Sequence, residues 1–135
     1  MSTPEFRRFA ASLLERASGD LEALRVLAPI ARTLETAGFH AQQAAEKALK
    51  AVLYLHSVEP PRTHNIRFLC DLATRAGLTP PITEIEGDAL TPYAVDYRYE
   101  PAPADDDDDG LDAGEMIRLA DAMVTWAETQ QLAGG

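Results

Sequence analysis

Apolar residues along most of this chain recur at steps of three and four, and no run alternates with the period of two expected of a strand. The pattern predicts a first helix over about residues 4–28, with Phe9, Leu13, Leu21, Leu24 and Leu27/Ala28 on its buried side. Ser18-Gly19-Asp20 breaks that spacing, so the reading bends or divides the helix there and makes Asp20 a cap for the second piece. Pro29 closes the element. The second helix, about 31–56, is the clearest, because FHAQQAAEKALKAVLYLH holds no proline or glycine and is rich in strong helix formers. Pro60 to Asn65 reads as a turn with Thr63 as the next N-cap. A third helix follows with Ile66, Leu69, Cys70 and Ala73 inward and Gly77 as its stop. A shorter fourth helix is expected over about 84–93. The last runs over about 111–132, with Met116, Leu119, Ala120, Met123 and Trp126/Ala127 as its buried stripe.

No internal repeat is present. The expected fold is all-α: an antiparallel up-down helical bundle of four to five helices, forming one domain over 1–135 with an acidic loop at about 100–110. A chain of 135 residues with 46% hydrophobic positions can bury a core of its own. No apolar run reaches the roughly 20 residues of a spanning helix, so no membrane association is expected. MSTPEFRRFA has no apolar segment of the secretory type, and the single Cys70 cannot form an internal disulfide. The expected location is cytoplasmic.

Charge changes the picture once it is divided along the chain. The net charge is −10, but residues 1–75 carry 10 basic and 8 acidic groups, and residues 76–135 carry 2 and 14. Acidic protein disfavours nucleic acid in general. Here the acidity is concentrated in the second half, which leaves the first half able to present a basic face. DNA is not an expected ligand.

The second helix carries two stripes. Ala41, Ala44, Ala45, Ala48, Val52 and Leu55 form an apolar one suited to close helix packing. His40, Gln43, Lys47, Lys50 and Tyr54 step by three and four and so share one face. That face reads either as a solvated surface, as a dimer seam, or as a ligand groove with two cations and several hydrogen-bonding groups. No phosphate loop, dinucleotide fingerprint, paired-cysteine metal site or nucleophile elbow occurs, and neither a metal nor a cofactor is expected. Asp105 to Asp109 reads as a solvated run of like charge without EF-hand spacing.

FHAQQAAEKALKAVL, then THN at the head of a helix after a proline turn, then YAVDYRYE, resemble in that order the HEPN family (higher eukaryotes and prokaryotes nucleotide-binding domains). The resemblance spans about residues 20–132. It implies an all-α bundle, commonly a homodimer, with roles in nucleotide or RNA binding. It often implies a place beside a minimal nucleotidyltransferase in a toxin–antitoxin-like pair. Many members of the family are metal-independent ribonucleases marked by an arginine, four to six residues, then a histidine. The matching arginine here is Arg98, but the residues that follow are YEPAPA and five aspartates, with no histidine at the required distance. Arg32 to His40 is too widely spaced and Arg62 to His64 too narrowly.

The reading that results is a non-catalytic or weakly catalytic nucleotide- or RNA-binding domain, or a partner of a nucleotidyltransferase. Its candidate binding residues are His40, Gln43, Lys47, Lys50, His64, Tyr97 and Arg98. Lys47, Lys50 and Arg98 would meet phosphate, His64 and Gln43 would hydrogen-bond, and Tyr97 would stack. His64 is read at a helix N-terminus, where anions bind well, and His56 as a favourable charge at a helix C-terminus. Tyr93, Tyr97 and Tyr99 surround Arg98 in sequence and read either as a stacking platform or as a structural corner. Two rivals remain: a ribonuclease whose base comes from elsewhere, with Arg98, His64 and His40 as candidate catalytic residues, and a purely structural interaction domain.

Overall fold

The computed structural model describes residues 2–94 and 110–134. Five α-helices form: α1 (Pro4–Leu27), α2 (Leu34–Leu55), α3 (Ile66–Arg75), α4 (Glu84–Leu90) and α5 (Ala113–Gly134). Short 3₁₀ turns at Ala31–Thr33 and Thr91–Ala94 lead into α2 and out of α4. There is no strand among the described residues.

α1 is one uninterrupted helix, and the expected break at Ser18-Gly19-Asp20 does not occur. The buried face is Ala10, Leu14, Ala17, Leu21 and Leu24, an unbroken register of four- and three-residue steps. The alanines complete it, whereas a stripe drawn through the large residues Phe9 and Leu13 leaves a gap at the position of the expected break. Phe9 is exposed and Leu13 only half-buried. Gly19 lowers helix propensity by about 1 kcal/mol but lies in open space on the solvent side, so packing carries the helix through it. Thr3 is the real N-cap, its hydroxyl accepting from Phe6 N at 3.0 Å, and Asp20 caps nothing.

α2 is the central element. Its buried residues occupy most of its circumference, and six of them are alanines (Ala37, Ala41, Ala44, Ala45, Ala48, Ala51) that allow α1, α3 and α5 to approach closely. α1 runs antiparallel to α2. The Arg25–Asp121 pair joins the end of α1 to the first half of α5, and His56–Gln130 joins the end of α2 to the last turns of α5. α5 therefore runs parallel to α2, and the α3–α4 arm forms the crossover between them. The helices are as expected in place and number. His56 is the C-cap of α2, and its ring reaches α5 rather than standing free at the dipole.

Asn65, not Thr63, caps α3, with Oδ1 accepting from Phe68 N at 2.9 Å while the Thr63 hydroxyl accepts from Asn65 N. α4 opens with a capping box in which Thr83 and Glu86 satisfy each other's backbone amides. Gly38 is a required glycine of close approach. A Cβ there would lie 2.6 Å from Cε1 and 2.8 Å from Cγ of Tyr93. That ring lies flat on α2, and its hydroxyl accepts from Leu111 N at 3.0 Å. Tyr93 is thus a structural corner, tying the start of the last segment to the middle of the bundle.

Candidate functional site

One strip of α2 escapes burial, and it is the polar stripe read from the sequence. His40, Gln43, Lys47, Lys50 and Tyr54 are each partly exposed, while the neighbours on both sides are buried. Helical spacing puts them on one line, and the packing of α1 on one flank and the approach to α3 on the other leaves that line open.

Each flank supplies one carboxylate. From α1, Asp20 accepts from Lys47 Nζ on Oδ2 at 2.6 Å and meets His40 Nδ1 through Oδ1 at 2.9 Å. From α2 itself, Glu46 is almost fully buried and accepts on Oε2 from Lys50 Nζ at 3.0 Å. Glu46 Oε1 accepts from Gln42 Nε2 at 2.9 Å and faces His64 Nδ1 at 2.8 Å. Gln42, which is wholly buried, also donates to the His64 carbonyl at 2.9 Å, and Gln43 donates to Gln42 Oε1 at 2.7 Å. Burial alone would raise the Glu46 pKa, but the hydrogen bonds from Gln42, His64 and Lys50, with the Lys50 charge, outweigh it. The carboxyl is held below its ordinary range. Glu46 is therefore a buried anion at neutral pH, with both oxygens hydrogen-bonded.

The site is a polar line with two anchors. His40 and His64 belong to different anchors, on opposite flanks of α2, so they do not converge on a single point. Lys47 and Lys50 are both neutralised locally, which makes the line far less cationic than its two lysines suggest. The line ends in an aromatic group: Tyr54 meets Phe6 and Phe9 edge-on, with centroids 4.8 and 5.3 Å apart.

The expectation that His64 offers a helix-terminal anion site is overturned. The α3 amides are occupied: Ile66 N donates to the Thr91 hydroxyl and Phe68 N to Asn65. α4 also closes on this end of α3, since a Cβ added at Gly87 would lie 3.3 Å from Arg67 N. His64 precedes the helix, and its partner is Glu46. Tyr97, Arg98, Tyr99 and the run Asp105 to Asp109 lie outside the described residues.

Sequence reasoning missed Asp20, Gln42 and Glu46. Asp20 reads as a cap only if α1 is divided there, and α1 is continuous. Gln42 and Glu46 look buried by position, yet Gln42, Glu46 and Lys50 are spaced at four residues, a pattern that places donor, acceptor and cation in a row on one helix. Among the described residues no group of three or more His, Cys, Asp or Glu could hold a metal ion, and no helix is long and apolar enough to cross a membrane. Cys70 is in the core, and its thiol is pushed up to about 12, by burial first and by the neighbouring Asp71 charge second.

The profile of the HEPN domain family matches residues 10–130. That range contains α2, His64 and most of α1 and α5. A search of curated proteins and a search of solved structures each found no match.

Proposed function

The chain belongs to the HEPN family, and on that premise we propose that it is a binding domain for single-stranded RNA or a free nucleotide, using the polar line of α2 together with His64. The carrying observation is that His40, Gln43, Lys47 and Lys50 share one open strip of α2 with His64 beside it, His40 and Lys47 being held by Asp20, Lys50 and His64 by Glu46, and Gln43 by Gln42. Fixed donors and acceptors suit recognition of bases, sugars and phosphates. The incomplete motif after Arg98 favours binding over cleavage.

Because both lysines are already paired, phosphate must compete with Asp20 and Glu46. Binding should be moderate and only weakly dependent on salt. The test is anisotropy of a labelled oligouridine with the full chain and with a Lys47→Ala/Lys50→Ala variant. The variant should bind about tenfold more weakly. The wild-type log–log salt slope should be no steeper than roughly −1.4, the value for two phosphates on a single strand. An unchanged affinity in the variant overturns the reading. In chelator, wild type and Arg98→Ala should show equal background RNA cleavage, and cleavage abolished by Arg98→Ala would restore the ribonuclease.

A second reading is a protein-docking face for a minimal nucleotidyltransferase or for a second copy of this chain in a homodimer. It is favoured by the aromatic end of the strip, where Phe9 is 42% exposed beside Phe6 and Tyr54. In light scattering, a dimer lost in Phe9→Ser would support it, and a monomeric wild type would remove the homodimer.

A further inference from the structure

His64 is held at both its backbone and its ring by the buried side chains of α2, while the ring stays open to solvent. Its carbonyl is held by Gln42 and its Nδ1 by Glu46, yet the side chain is 69% exposed. An ionised carboxylate is an acceptor only, so Nδ1 carries the proton shared with Glu46. In the neutral ring this leaves Nε2 with a free lone pair, and Nε2 makes no hydrogen bond among the described residues. Two buried side chains on successive turns of α2 are thus committed to presenting one outward-facing acceptor.

We propose that His64 is the residue that distinguishes ribose from deoxyribose, its Nε2 accepting a hydrogen bond from a 2′-hydroxyl of single-stranded RNA, with Gln42 and Glu46 as positioning residues. The proposal rests on the RNA-binding reading and adds to it a specificity. Three features of the surroundings support it. Lys50 shares the Glu46 carboxylate with His64, which stands a cation beside the acceptor for the phosphate attached to the same sugar. The α3 amides next to His64 are occupied, so a ligand arriving there meets the imidazole and not a backbone anion nest. The 2′-hydroxyl is a donor that RNA has and DNA lacks, so a fixed acceptor can separate the two polymers.

The experiment measures anisotropy of oligouridine and oligodeoxyuridine of equal length at one salt concentration. Wild type should prefer the ribose form about tenfold, the effect of one well-placed hydrogen bond. His64→Ala should weaken oligouridine more than oligodeoxyuridine and so bring the ratio of the two affinities to about one, while His64→Gln, which keeps an acceptor oxygen, should retain part of the preference. Glu46→Gln should lower the ratio by freeing the tautomer. In the unmodified protein, long-range nitrogen–proton spectra should show His64 protonated at Nδ1, with Nε2 shifting on addition of oligouridine only. A wild-type ratio near one, a ratio that survives His64→Ala, or an Nε2–H tautomer overturns the ribose assignment and leaves RNA binding standing. Failure to bind either polymer overturns the binding reading as well.

Discussion

Glu46 and Glu86 are two glutamates whose carboxyls are both held below the ordinary range, and by different means. At Glu86 the largest cause is the Thr83 backbone amide of its own capping box, with burial opposing and Arg118 adding a hydrogen bond at 2.9 Å. It is a local arrangement on the half-exposed side of α4. At Glu46 burial is the largest influence and opposes ionisation, and side chains four residues before, four after and 18 away overcome it. A cap is written into four consecutive residues of sequence, Thr83 to Glu86. A buried anion needs a tertiary structure to supply its donors. Evolution of a surface pair is cheap to reverse, whereas a buried carboxylate without its donors is a serious liability.

That contrast can be tested by removing each charged group in turn. Glu46→Ala should destabilise the fold by about 3 kcal/mol, because it leaves Gln42 and Lys50 without their acceptor at a buried position; chemical denaturation measures this. Asp20→Asn should cost about 2 kcal/mol, since it removes the carboxylate charge that pairs with both Lys47 and His40 while keeping the shape. Glu86→Ala should cost about 1 kcal/mol, the value of a helix cap. Arg67→Ala, which breaks exposed pairs to Glu84 and Asp88 on the same α3–α4 surface, should leave Tm unchanged within error. If Glu86→Ala proved costlier than Glu46→Ala, the account of the two regions would be reversed.

The same comparison gives a pH dependence. Glu46 has a folded pKa below its ordinary value of 4.5. Its contribution is therefore fully present above about 4.5 and is lost as pH falls from there through the lowered folded value. Wild type should lose stability over that acid range more steeply than Glu46→Gln, whose position 46 does not titrate. Parallel stability curves for the two proteins below 4.5 would show that Glu46 is not held as an anion.

The fold was legible because helix punctuation in this chain is strong: Pro29, Pro60-Pro61, Gly77 and Thr83 stand where elements begin or end. The predicted face of α1 holds at Leu21, Leu24 and Ala28 but departs in the first half, where the register runs through Ala10, Leu14 and Ala17, and a small residue gives a weaker hydrophobic signal than Phe9. The open strip of α2 was legible from spacing alone, as a line of polar residues on a helix otherwise rich in alanine. Its chemistry was not. Whether Lys47 and Lys50 are free cations depends on Asp20, 27 residues from Lys47, and on the burial of Glu46. The role of His64 depends on a contact 18 residues away, across a turn whose path the sequence does not specify.

The central claim is that the α2 strip and His64 together form the ligand face. The most direct measurement is a backbone and side-chain NMR titration of the full chain with unlabelled oligouridine. The account predicts shifts confined to His40, Gln43, Lys47, Lys50, His64 and the aromatic edge at Tyr54, with the α3–α4–α5 surface around Arg67 and Arg118 unmoved. Shifts concentrated on that second surface, with the α2 strip silent, would contradict it.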